Sequence, residues 1–205
     1  MTKPFIFDGQ QFKPLSRFRF LVLIFLGFSN VLNSLVMLSL GILLPSIARD
    51  LNLSPSEQGW LGSSMFVGTI VISLPAGFWL PRWDASKVLL ASMVLGTIFV
   101  FVQASASVFV IMLLGRLAFG FAMVARQPAR AVLTTEWFPP REILMVNGLV
   151  NTTYGFAAVI GFLLTPYLLI WLNDSWRSTL TVYAIAFFVI SVVWAVIRRE
   201  GERPR

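Results

Sequence analysis

Six long apolar blocks, each closed by a short polar link, restrict this chain more than any other feature. They run from Phe18 to Ala48, Glu57 to Leu80, Ala85 to Gln103, Val108 to Thr135, Ile143 to Leu172 and Trp176 to Ile197. About 20 apolar residues carry a helix across roughly 30 Å of hydrocarbon, and only the third block lies near that minimum. A soluble core cannot absorb such blocks. The chain is 57% hydrophobic and 12% charged, whereas soluble domains carry about 25% charge. Its mean hydropathy of +0.81 points the same way.

Backbone amides facing lipid must be bonded within their own segment, which makes each block a helix. A barrel would need alternating segments of about ten residues, and these runs are continuous. The expected fold is an all-α polytopic membrane protein with six transmembrane helices spanning 18–197. Residues 1–17 read as a cytoplasmic tail with room for a short interfacial helix, and 198–205 as a basic cytoplasmic tail. The block from Phe18 is longer than a cleaved signal core, and no Ala-x-Ala site follows it. Ser54-Pro55-Ser56-Glu57 is a helix-start signal ahead of the second block.

Charge sets the expected orientation. Sixteen basic residues oppose nine acidic ones. The bases collect in the links expected inside (Lys3, Lys13, Arg17, Arg82, Lys87, Arg141) and in the tail from Arg198. Links expected outside carry Arg49 and Arg177, with no base between Gln103 and Ser107. Bases are retained on the cytoplasmic side, so both termini are expected there, in a cell inner membrane or plasma membrane. Bases that serve membrane retention do not call for a nucleic-acid partner. Membrane lipids and a small solute are the partners to expect.

Cysteine and histidine are absent. That removes disulfides, thiolate chemistry and the common metal ligands, and no cofactor or metal is expected. Clustered carboxylates and an activated nucleophile are also missing, so the chain does not read as an enzyme.

Three arginines interrupt the fourth block. Arg116 stands mid-span, where a charge costs about 2.5–3.5 kcal/mol on insertion scales. It must face the bundle interior or a wet cavity, as a cavity residue or as a lock between helices. Arg126 and Arg130 are four residues apart and share a helix face. Arg130 has the depth from which a basic side chain snorkels to headgroups. On one continuous helix Arg116 and Arg126 would line a broad polar face without stacking. No carboxylate lies deep in any block, and a cationic cavity without one attracts anions. Asn30 and Asn33 in the first block, and Asn147, Asn151 and Tyr154 in the fifth, form polar stripes. Such stripes either bind a solute or join helices, at about 0.6–2 kcal/mol per amide. Small residues, among them Gly59, Gly62, Gly68, Gly77, Gly115 and Gly120, permit close helix contact. Pro45, Pro75, Pro128 and Pro166 are able to bend or end helices.

Several of these segments resemble the N-terminal six-helix half of a major facilitator superfamily transporter. Leu44 to Ala48 followed by Leu53 to Glu57 resembles the first outer loop of that family. Gly77 to Lys87 falls where its inner loop motif stands, with Arg82 kept. Arg116 and Gly120 resemble its fourth-helix Arg-x-x-x-Gly motif, Glu136 to Glu142 the following inner loop, and Trp176-Arg177 the start of helix six. Pro81 replaces the loop motif's aspartate, while Asp84 and Ala85 replace its glycine and arginine, so any latch made there is built differently. The fifth block lacks the Gly-Pro arrangement of drug/proton antiporters.

The resemblance implies a secondary transporter half that moves a small solute by alternating access. A second six-helix half, or another copy, would complete it. Arg116, Arg126, Asn147, Asn151, Tyr154, Asn30 and Asn33 are the expected cavity residues. Gly77, Arg82, Arg130, Glu136 and Arg141 are the expected conformational ones. A noncatalytic membrane scaffold or assembly subunit is the other reading, and it would need no wet groove.

Overall fold

The computed structural model describes the backbone of residues 6–7, 10–11, 18–79 and 82–202, and the side chains of 19–78 and 82–197. Seven helices follow a two-residue strand pair. They are α1 (Phe18–Asp50), α2 (Pro55–Trp79), α3 (Ala85–Ala104), α4 (Phe109–Val124), α5 (Arg126–Trp137), α6 (Pro140–Trp171) and α7 (Trp176–Glu202). The strands, Ile6–Phe7 and Gln10–Gln11, pair antiparallel with Ile6 opposite Gln11. The interfacial helix envisaged at the end of the tail falls on residues 12–17, outside the described residues. So does Pro81 of the loop motif.

The six expected spans are present, and each is long and apolar enough to cross a membrane. The fourth differs from expectation. It is two helices, with the break at Ala125. Proline at 128 has no N–H for the Val124 carbonyl, and its ring crowds that carbonyl, so that rung of the ladder is lost, while the Ala129 N–H still reaches the Ala125 carbonyl at 3.2 Å. Pro45, Pro75 and Pro166 lie inside unbroken helices.

Local signals set the helix ends. Ser54 and Glu57 form a reciprocal capping box: the Ser54 backbone N–H reaches Glu57 Oε2 at 2.8 Å and the Glu57 N–H reaches Ser54 Oγ at 3.3 Å. Asp84 caps α3 by accepting from the Lys87 N–H at 2.8 Å. Asn52, Asn173 and Asp174 take positive φ in the turns after α1 and α6, a conformation that Asn and Asp tolerate better than most residues.

Packing pairs α1 with α6, α2 with α4, and α3 with both α4 and α7. The α2–α4 crossing depends on glycine. A Cβ on Gly120 would overlap the Met65 carbonyl oxygen, and one on Gly68 would overlap that of Leu117. Two apolar clusters form the interior. One gathers Leu43, Ile47, Leu61, Met112, Phe119 and Phe187. The other gathers Val22, Phe25, Leu89, Met93, Leu133 and Trp194. Trp194 stacks on Phe25 at 4.4 Å and donates to the Ser86 carbonyl at 3.1 Å. These contacts bring the C-terminal part of α7 to the starts of α1 and α3, so those three helix ends lie at one end of the bundle.

Among the described residues, two ion pairs anchor α1. Arg19 meets Glu142 of α6 at 3.0 Å near the chain ends. At the other end Asp50 pairs with Arg177 of α7, which also donates to the Ala106 carbonyl at 2.9 Å. The outer faces are apolar: Leu74, Leu144, Leu163 and Ile170 are all largely exposed. Such a surface suits hydrocarbon, not water.

Candidate functional site

The break at Ala125 places Arg126 in the first turn of α5. From there it turns inward between α1 and α6. Arg126 is 5% exposed, and its Nη2 donates to Asn30 Oδ1 at 3.0 Å. Asn30, 3% exposed, is itself held by α6: its Nδ2 donates to the Val150 carbonyl at 3.1 Å and to Thr153 Oγ1 at 3.2 Å. Thr153 in turn donates to Val150 at 2.6 Å. Gly27 lets α1 approach α6 at this level, since its Cβ position would lie 3.3 Å from the Thr153 methyl. The chain Thr153–Asn30–Arg126 therefore fixes the guanidinium from one side. The other terminal nitrogen, Nη1, is buried without a partner.

One turn along α5, Arg130 repeats the pattern in a more open position. Its Nη2 donates to Asn151 Oδ1 at 3.3 Å, and its Nε is buried without a partner. Both arginines are thus held by neutral amides. Among the described side chains, carboxylates stand at Asp50, Glu57, Asp84, Glu136, Glu142 and Asp174, all at helix ends or in links. Neither Arg126 nor Arg130 forms an ion pair with any of them.

The remaining expected cavity residues do not all join this group. Asn147 is half-buried on α6, on the same face as Asn151. Tyr154 is exposed and its hydroxyl meets Met37 Sδ at 3.6 Å. Asn33 lies one turn from Asn30 with its Oδ1 buried and unpartnered. Arg116 sits apart, on α4 beyond the break, 4% exposed, with its Nε buried and unpartnered. Of the conformational set, Gly77, Arg82, Glu136 and Arg141 are exposed, and Glu136 engages another group.

A cavity of about 350 Å3 opens beside the break, lined by Ser73, Gly77, Val124, Pro128 and Val132 among others. Its walls are mainly apolar and come from α2, α3 and the opposite side of α5. None of the arginines lines it.

Sequence reasoning missed Thr153 and the Arg19–Glu142 pair. Thr153 carries a weak signal, its position between Asn151 and Tyr154, but its partner lies 123 residues away. A guanidinium held by a neutral amide keeps its full charge, and that charge favours an anion nearby. No group of three or more metal-ligating side chains occurs among the described residues.

A family model described as Major Facilitator Superfamily matches residues 26–205. A protein named as a probable galactarate/D-glucarate transporter of Escherichia coli is 25% identical over 196 residues, covering 91% of this chain and 43% of that protein. A hexuronate transporter of Bacillus subtilis is 27% identical over 191 residues, covering 90% and 43%. The chain thus spans less than half the length of the curated relatives it matches. Among solved structures, a bacterial homolog of the human lysosomal transporter Spinster, inward-facing and unoccupied, matches with a TM-score of 0.76 at 16% identity. That match covers 93% of this chain and 45% of the other, and it speaks to the fold alone.

Proposed function

The chain belongs to the Major Facilitator Superfamily, and from that membership we propose that it forms the N-terminal half of a secondary transporter for a small organic anion. The solute class is the sugar acid, the kind named for its relatives. Alternating access would proceed as this bundle rocks against a second six-helix half or another copy, with the site between them. Both termini would face the cytoplasm of a cell inner membrane or plasma membrane, as the distribution of bases favours.

One observation carries the anion reading. Arg126 is buried, held from one side by Asn30, and keeps a buried nitrogen with no partner. An unpaired buried charge is costly. An anion near this guanidinium would relieve that cost through its field, and a carbohydrate without charge would not.

The test is uptake into proteoliposomes holding the chain together with any coding sequence continuous with it. Labelled uronate, aldarate and neutral hexose are offered in turn. Saturable uptake of an acidic sugar that Arg126→Gln abolishes supports the proposal. Transport of neutral hexose alone, unaffected by that substitution, overturns it.

A further inference from the structure

The crevice between α2, α3 and α5 offers water almost nothing to bond. Gly77 of α2, Val88 of α3, Val124 of α4, and Pro128 and Val132 of α5 are among its walls. Ser73 brings the one hydroxyl, and that group donates to the Ile70 carbonyl of its own helix at 2.8 Å. A cavity with apolar walls stays dry. Its 350 Å3 falls in the range of about 300–1,000 Å3 found for ligand pockets. Leu74 and Phe78, next to the lining residues of α2, are largely exposed, as is Val132 on α5. The rim thus runs into the apolar outer face, and hydrocarbon has a direct way in.

The mouth has a different chemistry. Trp83, in the link between α2 and α3, lines the crevice and is 67% exposed. Tryptophan suits the boundary between headgroups and hydrocarbon. Arg82 precedes it and Lys87 stands in the first turn of α3, both exposed. Neither forms an ion pair among the described residues. Asp84 is the one carboxylate between them, and it is engaged in capping α3. Two bases against one acid leave the mouth positive, and basic pockets between membrane helices bind anionic headgroups.

We propose that this crevice seats an anionic phospholipid, with one acyl chain between α2 and α5 and the phosphate at Arg82 and Lys87. At about 100° per residue, Pro128 and Val132 lie on the side of α5 opposite Arg126 and Arg130. A chain in the crevice therefore supports α5 from behind while Asn30 holds Arg126 in front. A protein helix packed there would fill the same space but leave both bases without a partner. The seat is independent of the solute carried.

The experiment places the chain, with any coding sequence continuous with it, in phosphatidylcholine nanodiscs. Phosphatidylglycerol or phosphatidylcholine with brominated acyl chains is then titrated in. Bromine quenches tryptophan on contact, and the difference between wild type and Trp83→Phe isolates Trp83. Each base near an anionic lipid is worth about fivefold in binding. Brominated phosphatidylglycerol should accordingly reach half-quenching at a mole fraction about fivefold or more below that of phosphatidylcholine. Arg82→Gln combined with Lys87→Gln should remove that preference. Gly77→Leu should remove it too by filling the crevice, since the Cβ position of Gly77 has open space. In detergent, phosphatidylglycerol should raise the thermal midpoint of wild type and leave that of Gly77→Leu unchanged. Glycerol phosphate, a head without chains, should shift neither.

Equal quenching by the two lipids in wild type, or a preference that survives in Gly77→Leu, would overturn the seat. A thermal shift by glycerol phosphate as large as that by the lipid would assign the bases to a soluble anion and overturn it as well. Trp83 quenched by neither lipid would mean that a helix covers the crevice, with the same consequence. One variant keeps the crevice and the other keeps the bases, so misfolding of either leaves the other to decide.

Discussion

Arg126 and Asn30, 96 residues apart in sequence, meet through a 3.0 Å hydrogen bond in which the guanidinium donates and the amide oxygen accepts. The partner is neutral, and that matters more than the bond. A carboxylate at position 30 would hold the arginine equally well but would neutralise it. Asn30 orients the charge and leaves it available.

Asn30→Asp is therefore expected to lower anion affinity tenfold or more by giving Arg126 an internal counter-ion. Asn30→Ala should instead destabilise the bundle by about 1–3 kcal/mol, since it strips a buried guanidinium nitrogen of its acceptor. Half-saturation constants for uptake and thermal unfolding in detergent separate the two effects. Unchanged affinity in Asn30→Asp would refute the orienting role.

The α2–α4 crossing gives a packing test. Gly120→Ala and Gly68→Ala each push a methyl into a backbone carbonyl on the facing helix. Overpacking of this kind costs about 1–3 kcal/mol. Gly59 and Gly62 on the same α2 have open space where a Cβ would go. Gly59→Ala and Gly62→Ala should be neutral, or stabilising by up to about 1 kcal/mol through helix propensity. Thermal unfolding of the four single variants checks the contrast.

Pro128→Ala restores an N–H that the Val124 carbonyl can accept, which favours a continuous fourth span. Straightening would turn Arg126 away from Asn30 and narrow the cavity beside the break. The restored rung and the lost Arg126–Asn30 bond oppose each other, so thermal stability is expected to change little while uptake slows several-fold. Spin labels on α2 and α5 should report a shorter separation; an unchanged separation would assign the break to packing instead of proline.

Arg177 makes one contact more than its partner Asp50, which itself accepts from the Trp176 indole N–H at 3.2 Å. It pairs with Asp50, donates to the Ala106 carbonyl and lies over the Trp176 ring at 4.2 Å. The ion pair itself is half-exposed and contributes little. Arg177→Ala is accordingly expected to lower the melting temperature more than Asp50→Asn does. Equal losses would mean that the ion pair dominates.

Orientation is open to a direct test because the chain has no cysteine of its own. A lone cysteine introduced by Asp84→Cys, in the exposed link before α3, should resist an impermeant thiol reagent in intact cells and react after lysis. Labelling before lysis would reverse the proposed topology.

What was legible in the sequence is what local physics decides. In lipid every backbone amide must be bonded within its own segment, so apolar length alone specifies the six spans. The Ser54–Glu57 capping box was equally readable because both partners lie within one turn of each other. The break at Ala125 was not, although Pro128 was in view. Pro45, Pro75 and Pro166 show that a helix packed on its neighbours can carry a proline unbroken.

The amino-acid order by itself established how many helices cross the bilayer, where most of them end and which side chains are too costly to face lipid. It could not say which amide would meet which arginine. That choice belongs to the tertiary structure, because helix rotation and spacing are set by distant contacts. Gly27 lets α1 pack against Thr153 of α6, and Asn30 meets Arg126 only when α1, α5 and α6 are packed at that level.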